Sequence, residues 1–396
     1  MTENQKIKGC ILPWLHIFGA ITGEYRACCH VEFLDDESTV LGNHKQTLDE
    51  VWNGESYRNI RQRFLKGDIP DGCKKVCYDR EVHGDSISNR QQVNKRFKKK
   101  AYLQDLTNDD GSLPNKPSYL DLRFGNLCNF KCRTCGPFAS TSWYTDWPDN
   151  KLSSVVDYYS DNEAVWSSFP EYLSELEDIY FAGGEPFVQE GHYKLLFKLI
   201  ELDYAKNINL QYNTNLSYTK FKKYDLEDIW SNFKSVDLWP SIDGFGTRAE
   251  YTRKGLSWKT FEANALHFKK HISTFSCVIS LYSITSMPDL ILWCKKNGFN
   301  YYGNILNGPE MFNLKCLPKD CKKQIVELYK RFVIKNKSIL SPHDLSQIKS
   351  WLSYMNGGDF SALLPEFKRE QTRLDLLRNE SFESTYPEYA SWYKNI

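Results

Sequence analysis

The strongest constraint on the fold is a regular alternation of short apolar runs and helical periodicity that starts at residue 118. The runs with the length and composition of strands are SYLDLRF (118–124), LEDIYFAG (176–183), INLQYNT (208–214), SVDLWPSI (235–242), FSCVISLYSI (275–284) and NYYGNIL (300–306). Helix-like stretches such as GHYKLLFKLIELD and MPDLILWCKKNGF lie between them. Such repeats predict an α/β fold with a parallel sheet, either open or curled into a partial barrel. Sites in these folds form in loops at the carboxyl ends of the strands.

Composition divides the chain into four predicted segments: 1–97, 98–117, 118–310 and 311–396. The first is a small cysteine-rich α+β module with an amphipathic helix over residues 48–65, which Thr47 or Asp49 can cap. The second is a basic and polar run that predicts a solvated linker. The third is the α/β core. The last has apolar residues at helical spacing, which predicts a helical extension over the open side or end of the sheet.

Charge and hydropathy narrow the class of protein. The chain has 51 Lys and Arg against 50 Asp and Glu, a formal net charge of +1, which argues against a protein that coats nucleic acid or an anionic membrane. The start, MTENQKIKG, does not resemble a signal peptide, and no run of about eighteen apolar residues occurs. We therefore expect a cytoplasmic protein without a membrane partner. Disulfides are disfavoured there, so the 12 cysteines need another role.

Most of the cysteines are closely spaced. The first eight are Cys10, Cys28, Cys29, Cys73, Cys77, Cys128, Cys132 and Cys135. Short spacings let one loop direct several thiolates at a common point, as metal ligation requires. The C-x3-C-x2-C triplet that begins at Cys128 follows the first core strand and has no fourth ligand in its loop. Three thiolates suit a cubane cluster with one open iron, whereas structural zinc takes four protein ligands.

The triplet, followed by G-G-E-P after the next strand, resembles the radical S-adenosylmethionine (SAM) enzyme superfamily. The resemblance implies a partial (β/α)6 barrel and a [4Fe–4S] cluster on Cys128, Cys132 and Cys135, whose open iron is chelated by SAM. It also implies that an electron from the cluster cleaves SAM to a 5′-deoxyadenosyl radical, which abstracts a hydrogen atom from a substrate. The residues matching the segment that meets the SAM amino group are Gly183, Gly184 and Glu185. Glycine there lets a ligand approach the backbone closely.

Three further segments resemble the superfamily's SAM contacts. Ser241 and Asp243 lie in an S-x-D-G segment after the fourth strand, whose polar side chains face the SAM ribose or carboxylate in the family. Arg253, in AEYTRKG, resembles the arginine of a Y-x-R-x-G motif, and a guanidinium suits a carboxylate. Asn213 and Asn215 lie where the family often has T-N-G. An ordinary strand-end cap or turn is the alternative role for these residues.

The triplet departs from the family at one position. Thr134 stands before the last cysteine, where an aromatic residue that packs near the adenine is common. The sequence leaves Phe130, Tyr180 and Phe181 open as replacements for that surface. The departure does not affect the three cluster ligands.

The amino-terminal cysteines follow a second recognisable order. Cys10 leads through an apolar run to G-x4-C at Cys28, then to the LDEVWN helix and to the closing pair in CKKVCYDREVHGDSISNR. This order resembles the SPASM/twitch modules that carry auxiliary iron–sulfur clusters in many radical SAM enzymes, although in most relatives the module follows the core. The resemblance implies one auxiliary [4Fe–4S] cluster on Cys10, Cys28, Cys73 and Cys77. Cys29 in place of Cys28, and a zinc knuckle on the same thiolates, stay open as alternatives.

Together these motifs favour a radical SAM enzyme that modifies a peptide or protein side chain or a small polar metabolite. It would take its electron from an external donor such as flavodoxin or ferredoxin, and the cofactors would supply the difficult chemistry. The alternative is a zinc- or cluster-containing protein without enzymatic activity that binds RNA or a partner through residues 95–100 (KRFKKK). That alternative leaves the GGEP and S-x-D-G segments unexplained.

The sequence leaves several matters open. No residue is assigned as an acid, a base or a radical donor, and neither the substrate nor the oligomeric state can be read from the residues. The aromatic-rich insertion at 142–175 and the pair Cys316 and Cys321 have no assigned role. Cys277 and Cys294 lie in apolar or helical stretches, and we predict that both are buried.

Overall fold

A computed structural model describes residues 7–32, 34, 36–79, 81, 88–150 and 163–396. The strands of these residues are β1 (His16–Gly19), β2 (Glu24–Arg26), β3 (Val40–Asn43), β4 (Tyr119–Leu122), β5 (Lys131–Cys132), β6 (Asp178–Phe181), β7 (Asn209–Thr214), β8 (Lys220–Phe221), β9 (Tyr224–Asp225), β10 (Ser235–Pro240), β11 (Arg253–Lys254), β12 (Phe275–Ile279) and β13 (Tyr301–Ile305). All six core strands predicted from the sequence are present, as β4, β6, β7, β10, β12 and β13.

The α-helices alternate with the core strands and then fill the carboxyl-terminal region. They are α1 (Leu48–Trp52), α2 (Glu55–Lys66), α3 (Asp71–Cys73), α4 (Asn89–Arg96), α5 (Glu163–Tyr172), α6 (Glu190–Glu201), α7 (Leu226–Trp230), α8 (Gly246–Thr252), α9 (Trp258–His267), α10 (Met287–Asn297), α11 (Lys319–Lys335), α12 (Pro342–Asn356), α13 (Leu364–Arg378), α14 (Phe382–Thr385) and α15 (Ala390–Tyr393). Within the described residues, none of the helices combines the length and the apolar character that a bilayer crossing requires.

The chain forms two compact units, which are described separately. The first comprises Met1–Asn126, Leu152–Gln211 and Tyr224–Val236. The second comprises Leu127–Lys151, Tyr212–Lys223 and Asp237–Ile396. The strands β7 and β10 have residues in both units.

The first unit is built on a sheet that combines amino-terminal and core strands. Strand order in the whole sheet is β10-β7-β6-β4-β1-β2-β3. Strand β1 pairs antiparallel with β2 and parallel with β4, in a register that joins His16 to Tyr119 and Gly19 to Leu122. On its other side β4 pairs parallel with β6. The strands of the predicted amino-terminal module therefore continue the sheet of the predicted core.

The amphipathic helix predicted over residues 48–65 is two helices in the structure. Thr47 caps α1 as predicted, in a capping box with Glu50. The break falls at Gly54, where an added Cβ would lie 2.4 Å from the Glu50 carbonyl oxygen. The apolar side is preserved across the break, because α1 buries Leu48, Val51 and Trp52 and α2 buries Tyr57, Ile60 and Phe64. The prediction of one continuous helix was wrong because glycine lets the chain turn sharply there.

Residues 98–117, predicted to be a linker, combine exposed residues with residues that contact the amino-terminal segment. Leu103 and Leu113 are buried. The indole nitrogen of Trp14 donates to Thr107 Oγ1 at 2.8 Å, and that of Trp52 donates to the carbonyl of Asn115 at 2.7 Å. Polar groups of this run thus accept hydrogen bonds from two tryptophans of the amino-terminal segment. The polar composition of the run concealed this in the sequence.

In the second unit the later core strands follow one another in a parallel arrangement. Strands β12 and β13 pair in parallel over five residues, from Phe275 opposite Tyr301 to Ile279 opposite Ile305. Ser241, just beyond β10, forms a parallel bridge with Ser276 of β12, and its backbone N–H donates to Thr214 at the end of β7 at 2.8 Å. A mixed α/β fold with parallel strands is therefore confirmed, whereas the partial (β/α)6 barrel stays a prediction.

The carboxyl-terminal region of the second unit is helical, as predicted, and covers the last strand. Trp351 of α12 lies against Gly303 of β13 so closely that an added Cβ would be 2.5 Å from the indole ring. The backbone N–H of Gly303 also donates to Gln347 Oε1 at 3.0 Å. On α13, Phe367 and Leu374 are fully buried. This region therefore shares the hydrophobic core of its unit.

Candidate functional site

Four cysteines of the first unit line one small cavity. They are Cys10, Cys28, Cys73 and Cys77, the four predicted from the sequence as auxiliary ligands, and the cavity has a volume of about 20 Å³. Leu12, Pro13 and Phe64 form part of its apolar wall. The set of donors, four thiols on an apolar pocket, fits the chemistry of a thiolate-bound iron–sulfur cluster.

Local structure explains how residues distant in sequence reach this cavity. Cys10 precedes the 3-10 turn Leu12–Trp14, and Cys28 ends the extended chain that leads from β2. Cys73 ends α3, and Cys77 lies in the π-helical turn Lys74–Tyr78 that follows directly. Single π-helical turns are often found at functional sites. The unit thus brings two loop cysteines to a pair held on one helical segment.

Cys29 lies in a different environment from Cys28. It is absent from the lining of the cavity. After burial, the charged groups that most affect the pKa of Cys29 are Asp121 and Arg123, whereas the groups that affect the pKa of Cys28 are its neighbour Cys29, Cys73 and Cys10. The geometry thus places Cys28, and not Cys29, with the other predicted auxiliary ligands.

Burial in the cavity favours the neutral, protonated form of these thiols in the absence of a bound metal. Burial raises the pKa of Cys10 to about 12 and raises that of Cys73 and of Cys28 as well. Metal binding would therefore release protons. Arg90, which also lines the cavity, stacks over Tyr78 at 4.4 Å and forms an ion pair with Glu81. Across the described ranges, no group of three or more His, Cys, Asp and Glu side chains is gathered at single-ion spacing.

The second unit holds the C-x3-C-x2-C loop. Cys132 lies in β5, which pairs antiparallel with β11, so that Cys132 is directly opposite Arg253. The backbone N–H of Cys135 donates to the carbonyl of Cys132 at 3.1 Å, and Ser142 Oγ donates to the carbonyl of Cys128 at 2.7 Å. The three thiols are close enough for Cys128 and Cys132 to raise the pKa of Cys135, after the larger effect of burial.

Two residues predicted from the sequence as SAM contacts, Arg253 and Asp243, form an ion pair beside this loop. Arg253 Nη1 donates to Asp243 Oδ2 at 2.8 Å, and the other carboxylate oxygen accepts from the backbone N–H of Val278 at 2.9 Å. Asp243 is only 1 % exposed. The buried Nε of Arg253 has no hydrogen-bond partner within the described chain. Arg253 therefore has a donor group left for a ligand next to Cys132.

The other residues of the second unit that the sequence predicts as SAM contacts are Ser241, Asn213 and Asn215, and their surroundings differ. Ser241 is held by backbone pairing, and the buried Oδ1 of Asn213 has no partner among the described residues. Asn215 instead supports the cysteine loop, because its amide donates to Asn129 Oδ1 at 2.8 Å. Asn215 thus contacts the cysteine loop, its own Oδ1 accepts from the backbone N–H of Ser217 at 3.0 Å, and its SAM contact stays a prediction.

The G-G-E-P segment belongs to the first unit. Gly183 and Gly184 have positive φ angles of 81° and 54°, a conformation that favours glycine. An added Cβ on Gly183 would lie 3.0 Å from Arg123 Cδ. Glu185 is buried and accepts a hydrogen bond from the backbone N–H of Phe187 at 3.1 Å. The structure therefore requires glycine at Gly183 for both conformation and space.

The aromatic candidates for an adenine surface differ in burial. Phe130 and Phe181 are nearly inaccessible. Phe130 packs on Gly255, where an added Cβ would lie 2.7 Å from the ring. Tyr180 is half-buried, with its ring 5.1 Å from the Arg123 guanidinium. Both phenylalanines thus act as packing residues.

Charged residues around the cysteine loop were missed by the sequence analysis. They are Arg133, Asp146, Asp375, Arg378 and Glu380. Arg133 stands inside the triplet, yet its partner Asp375 is 242 residues away, so no local pattern reveals the pair. In the sequence, the one feature that could have drawn attention to Arg133 is that a charged residue stands between two cysteines that are expected to be buried.

The remaining cysteines are structural. Cys277 and Cys294 are fully buried, as predicted. Cys316 is buried with its thiol donating to the carbonyl of Glu310 at 3.0 Å, and Cys321 is buried as well. Of the insertion at 142–175, residues 151–162 lie outside the described residues.

Comparison with known families identifies the amino-terminal region. The family described as "SPASM: Iron-sulfur cluster-binding domain" matches residues 10–78. Residues 10–78 are thus similar to a SPASM iron–sulfur cluster-binding domain. The predicted SPASM module is therefore confirmed, and its matched range begins at Cys10 and ends directly after Cys77.

Comparison with whole proteins gives weaker similarity. No curated protein matches the chain. Among solved structures, the chain is similar to Streptococcus suis SuiB bound to precursor peptide SuiA, with 14% identity, a TM-score of 0.38, and coverage of 71% of this chain and 60% of that one. For SuiB bound to S-adenosylmethionine the values are 14%, 0.37, 68% and 61%. The chain thus spans about three fifths of the length of SuiB.

Proposed function

We propose that this protein is a radical SAM enzyme with one auxiliary [4Fe–4S] cluster in its SPASM domain. The observation that carries the proposal is the loop of Cys128, Cys132 and Cys135, with the pair Arg253 and Asp243 beside it, in a chain that also has a SPASM domain. A loop with three thiols matches a cluster that keeps one iron for a ligand. The superfamily resemblance of the motifs identifies that ligand as SAM.

The residues of the second unit have distinct roles in this proposal. The three thiolates hold the cluster, and burial of Cys132 keeps water from its ligand sulfur. Asp243 fixes Arg253 through the 2.8 Å ion pair and leaves Arg253 Nε as a donor for the SAM carboxylate. When bound, the cluster supplies the electron that cleaves SAM. The protein positions the reactants and excludes water.

We further propose a peptide or protein side chain, or a small polar metabolite, as the substrate. A SPASM domain in this chain and the precursor peptide bound by SuiB both support the peptide class. The auxiliary cluster on Cys10, Cys28, Cys73 and Cys77 would bind substrate or accept its electron. A flavodoxin- or ferredoxin-like donor in the cytoplasm would supply the first electron.

The non-enzymatic alternative has less support. Its basic stretch at residues 95–100 is partly neutralised, because Arg96 pairs with Asp178 at 2.6 Å and Lys100 with Glu177 at 2.8 Å. Paired cations contribute little to phosphate binding. The SPASM domain also accounts for the amino-terminal cysteines without invoking RNA.

Anaerobic reconstitution tests the proposed function. We expect about eight irons per chain, from two four-iron clusters, and release of 5′-deoxyadenosine from SAM under reduction. Cys132→Ala should abolish SAM cleavage and leave about four irons on the SPASM domain. Cys294→Ala, a buried cysteine without a proposed ligand role, is the matched control and should keep both. Stoichiometric zinc without SAM cleavage, or full cleavage by Cys132→Ala, contradicts the proposal.

A further inference from the structure

The side chain of Arg133 bonds the cysteine loop to the carboxyl-terminal part of the second unit. Its Nη2 donates to Asp375 Oδ1 at 2.6 Å and to Glu380 Oε2 at 2.7 Å. Its Nη1 donates to Gln371 Oε1 at 2.8 Å, and its Nε donates to the Tyr251 carbonyl at 3.1 Å. Three of these four acceptors lie on α13 or directly after it.

The burial of Arg133 makes these bonds specific. The side chain is 0% exposed, and its guanidinium carbon lies 3.7 Å from the centre of the Tyr251 ring. A buried cation is tolerated only when its donors are satisfied. The planar fork of arginine can reach several acceptors at fixed angles, which a lysine ammonium cannot reproduce. The arrangement therefore fixes both the position and the orientation of the residue between Cys132 and Cys135.

A second set of contacts holds the far end of the same loop to α13. Asp146 accepts from Lys131 Nζ at 2.5 Å and from Arg378 Nε at 2.7 Å. The Arg378 guanidinium lies over the Trp143 ring at 4.7 Å, and the Trp143 indole donates to the Cys132 carbonyl at 3.1 Å. The loop is thus tied to α13 both inside the triplet and about ten residues after it.

These contacts add to backbone hydrogen bonds that already hold the loop. The backbone of Cys132 is already paired with β11, and Arg133 N–H donates to the Thr252 carbonyl at 2.7 Å. The bonds from α13 add a constraint on the side of the loop that carries Arg133. Displacement of a reacting group by about 1 Å can lower a rate about 100-fold, so a loop that presents a cluster benefits from such a constraint.

We propose that Arg133 is a positioning residue for the three-thiolate cluster and that Asp375 and Glu380 make the carboxyl-terminal region a structural part of that cluster site. This inference rests on the proposed function. Arg133 does not touch SAM or the substrate in this scheme. It acts by holding the backbone between two ligand cysteines.

The decisive variant is Arg133→Lys, which keeps the positive charge and removes the planar guanidinium with its several hydrogen-bond donors. We expect the SPASM cluster and the fold to be retained, while SAM cleavage falls about 10- to 100-fold. The change that SAM addition causes in the electron paramagnetic resonance spectrum of the reduced cluster should also become smaller. A purely structural role would lower thermal stability without altering that spectrum. Arg331→Lys is the matched control, because Arg331 is exposed and bonds the Glu327 carbonyl.

A double-mutant cycle tests the link to the carboxyl-terminal residues. Glu380→Gln leaves Asp375 in place and should reduce cleavage less than Arg133→Lys, which keeps the test informative if the lysine variant folds poorly. Arg133→Lys combined with Glu380→Gln should be no slower than Arg133→Lys alone, because the residues act as one unit. If the double variant loses SAM cleavage by the product of the two single losses, the residues act independently and the link between Arg133 and Glu380 is overturned.

The outcomes separate this inference from the proposed function. Wild-type cleavage and a normal spectrum in Arg133→Lys overturn the inference and leave the function intact. A wild-type protein that does not cleave SAM overturns both. A slower Arg133→Lys with an unchanged spectral response to SAM reduces Arg133 to a stability role and also overturns the inference.

Discussion

Replacing Cys28 and Cys29 separately by serine tests the geometry of the auxiliary site, because the two neighbours differ in position but not in chemistry. Cys28 lines the cavity shared with Cys10, Cys73 and Cys77, whereas Cys29 lies near Asp121 and Arg123. We expect Cys28→Ser to lose about four of about eight irons after anaerobic reconstitution. Cys29→Ser should keep all of them.

The effect on stability follows from the chain that the cluster closes. Cys28 and Cys73 are about 45 residues apart, and fixing the ends of a loop of that length is equivalent to about 4 kcal/mol of unfolding free energy. Cys28→Ser should therefore lower the unfolding free energy of the reconstituted protein by up to about 4 kcal/mol. Cys29→Ser should change it by less than about 1 kcal/mol, the range of a modest buried substitution.

The assay is anaerobic urea denaturation followed by tryptophan fluorescence, with iron content and the visible absorption of the clusters measured on the same samples. Metal-free wild type and variants serve as controls, since the difference between Cys28→Ser and wild type should vanish without iron. Loss of iron in Cys29→Ser with full occupancy in Cys28→Ser would refute the reasoning.

Two further predictions concern conformation and pH. Gly183→Ala should lower stability and weaken SAM binding more than Gly67→Ala. Both positions have positive φ angles, but only an added Cβ on Gly183 meets a neighbour, Arg123 Cδ at 3.0 Å. Urea unfolding measures the stability and equilibrium dialysis measures SAM binding, and equal losses in the two variants contradict the steric argument. Burial lowers the pKa of His192 from 6.5 to about 3, so the folded state resists protonation and stability falls as the pH drops below 6.5. Between pH 7 and 5 the metal-free protein should lose about 2 kcal/mol through this group, and His192→Asn should lose that much less. An unchanged pH dependence in His192→Asn counts against the assignment.

The strands and the cysteine sets were predictable because their signals are local. The six core strands follow from apolar runs of the right length, and the cysteines that line the SPASM cavity follow from spacing and order. The choice of Cys28 over Cys29 was left open by the residues alone. The structure is needed for that choice, because the side chains of adjacent residues in an extended chain point to opposite sides.

Features that depend on distant partners were not predictable. The parallel pairing of His16–Gly19 with Tyr119–Leu122 joins segments that composition separates. The packing of residues 98–117 depends on partners such as Trp14 and Trp52, which polar composition does not reveal. Arg133 is the clearest case, since three of its four side-chain acceptors lie more than 200 positions later in the chain. Sequence patterns report periodicity and local chemistry, whereas these contacts are set by tertiary packing.

The position of β1 in the middle of the sheet limits how this protein can be engineered. The hydrogen bonds from the Ser118 N–H to the Leu15 carbonyl and from the Arg123 N–H to the Gly19 carbonyl close the two ends of the β1–β4 ladder. Removing residues 1–97 would leave β4 without that neighbouring strand. It would also expose a new edge of the sheet, which promotes aggregation. Residues 10–78 are therefore not a separable module, and transferring them to another protein would require a graft that includes β4.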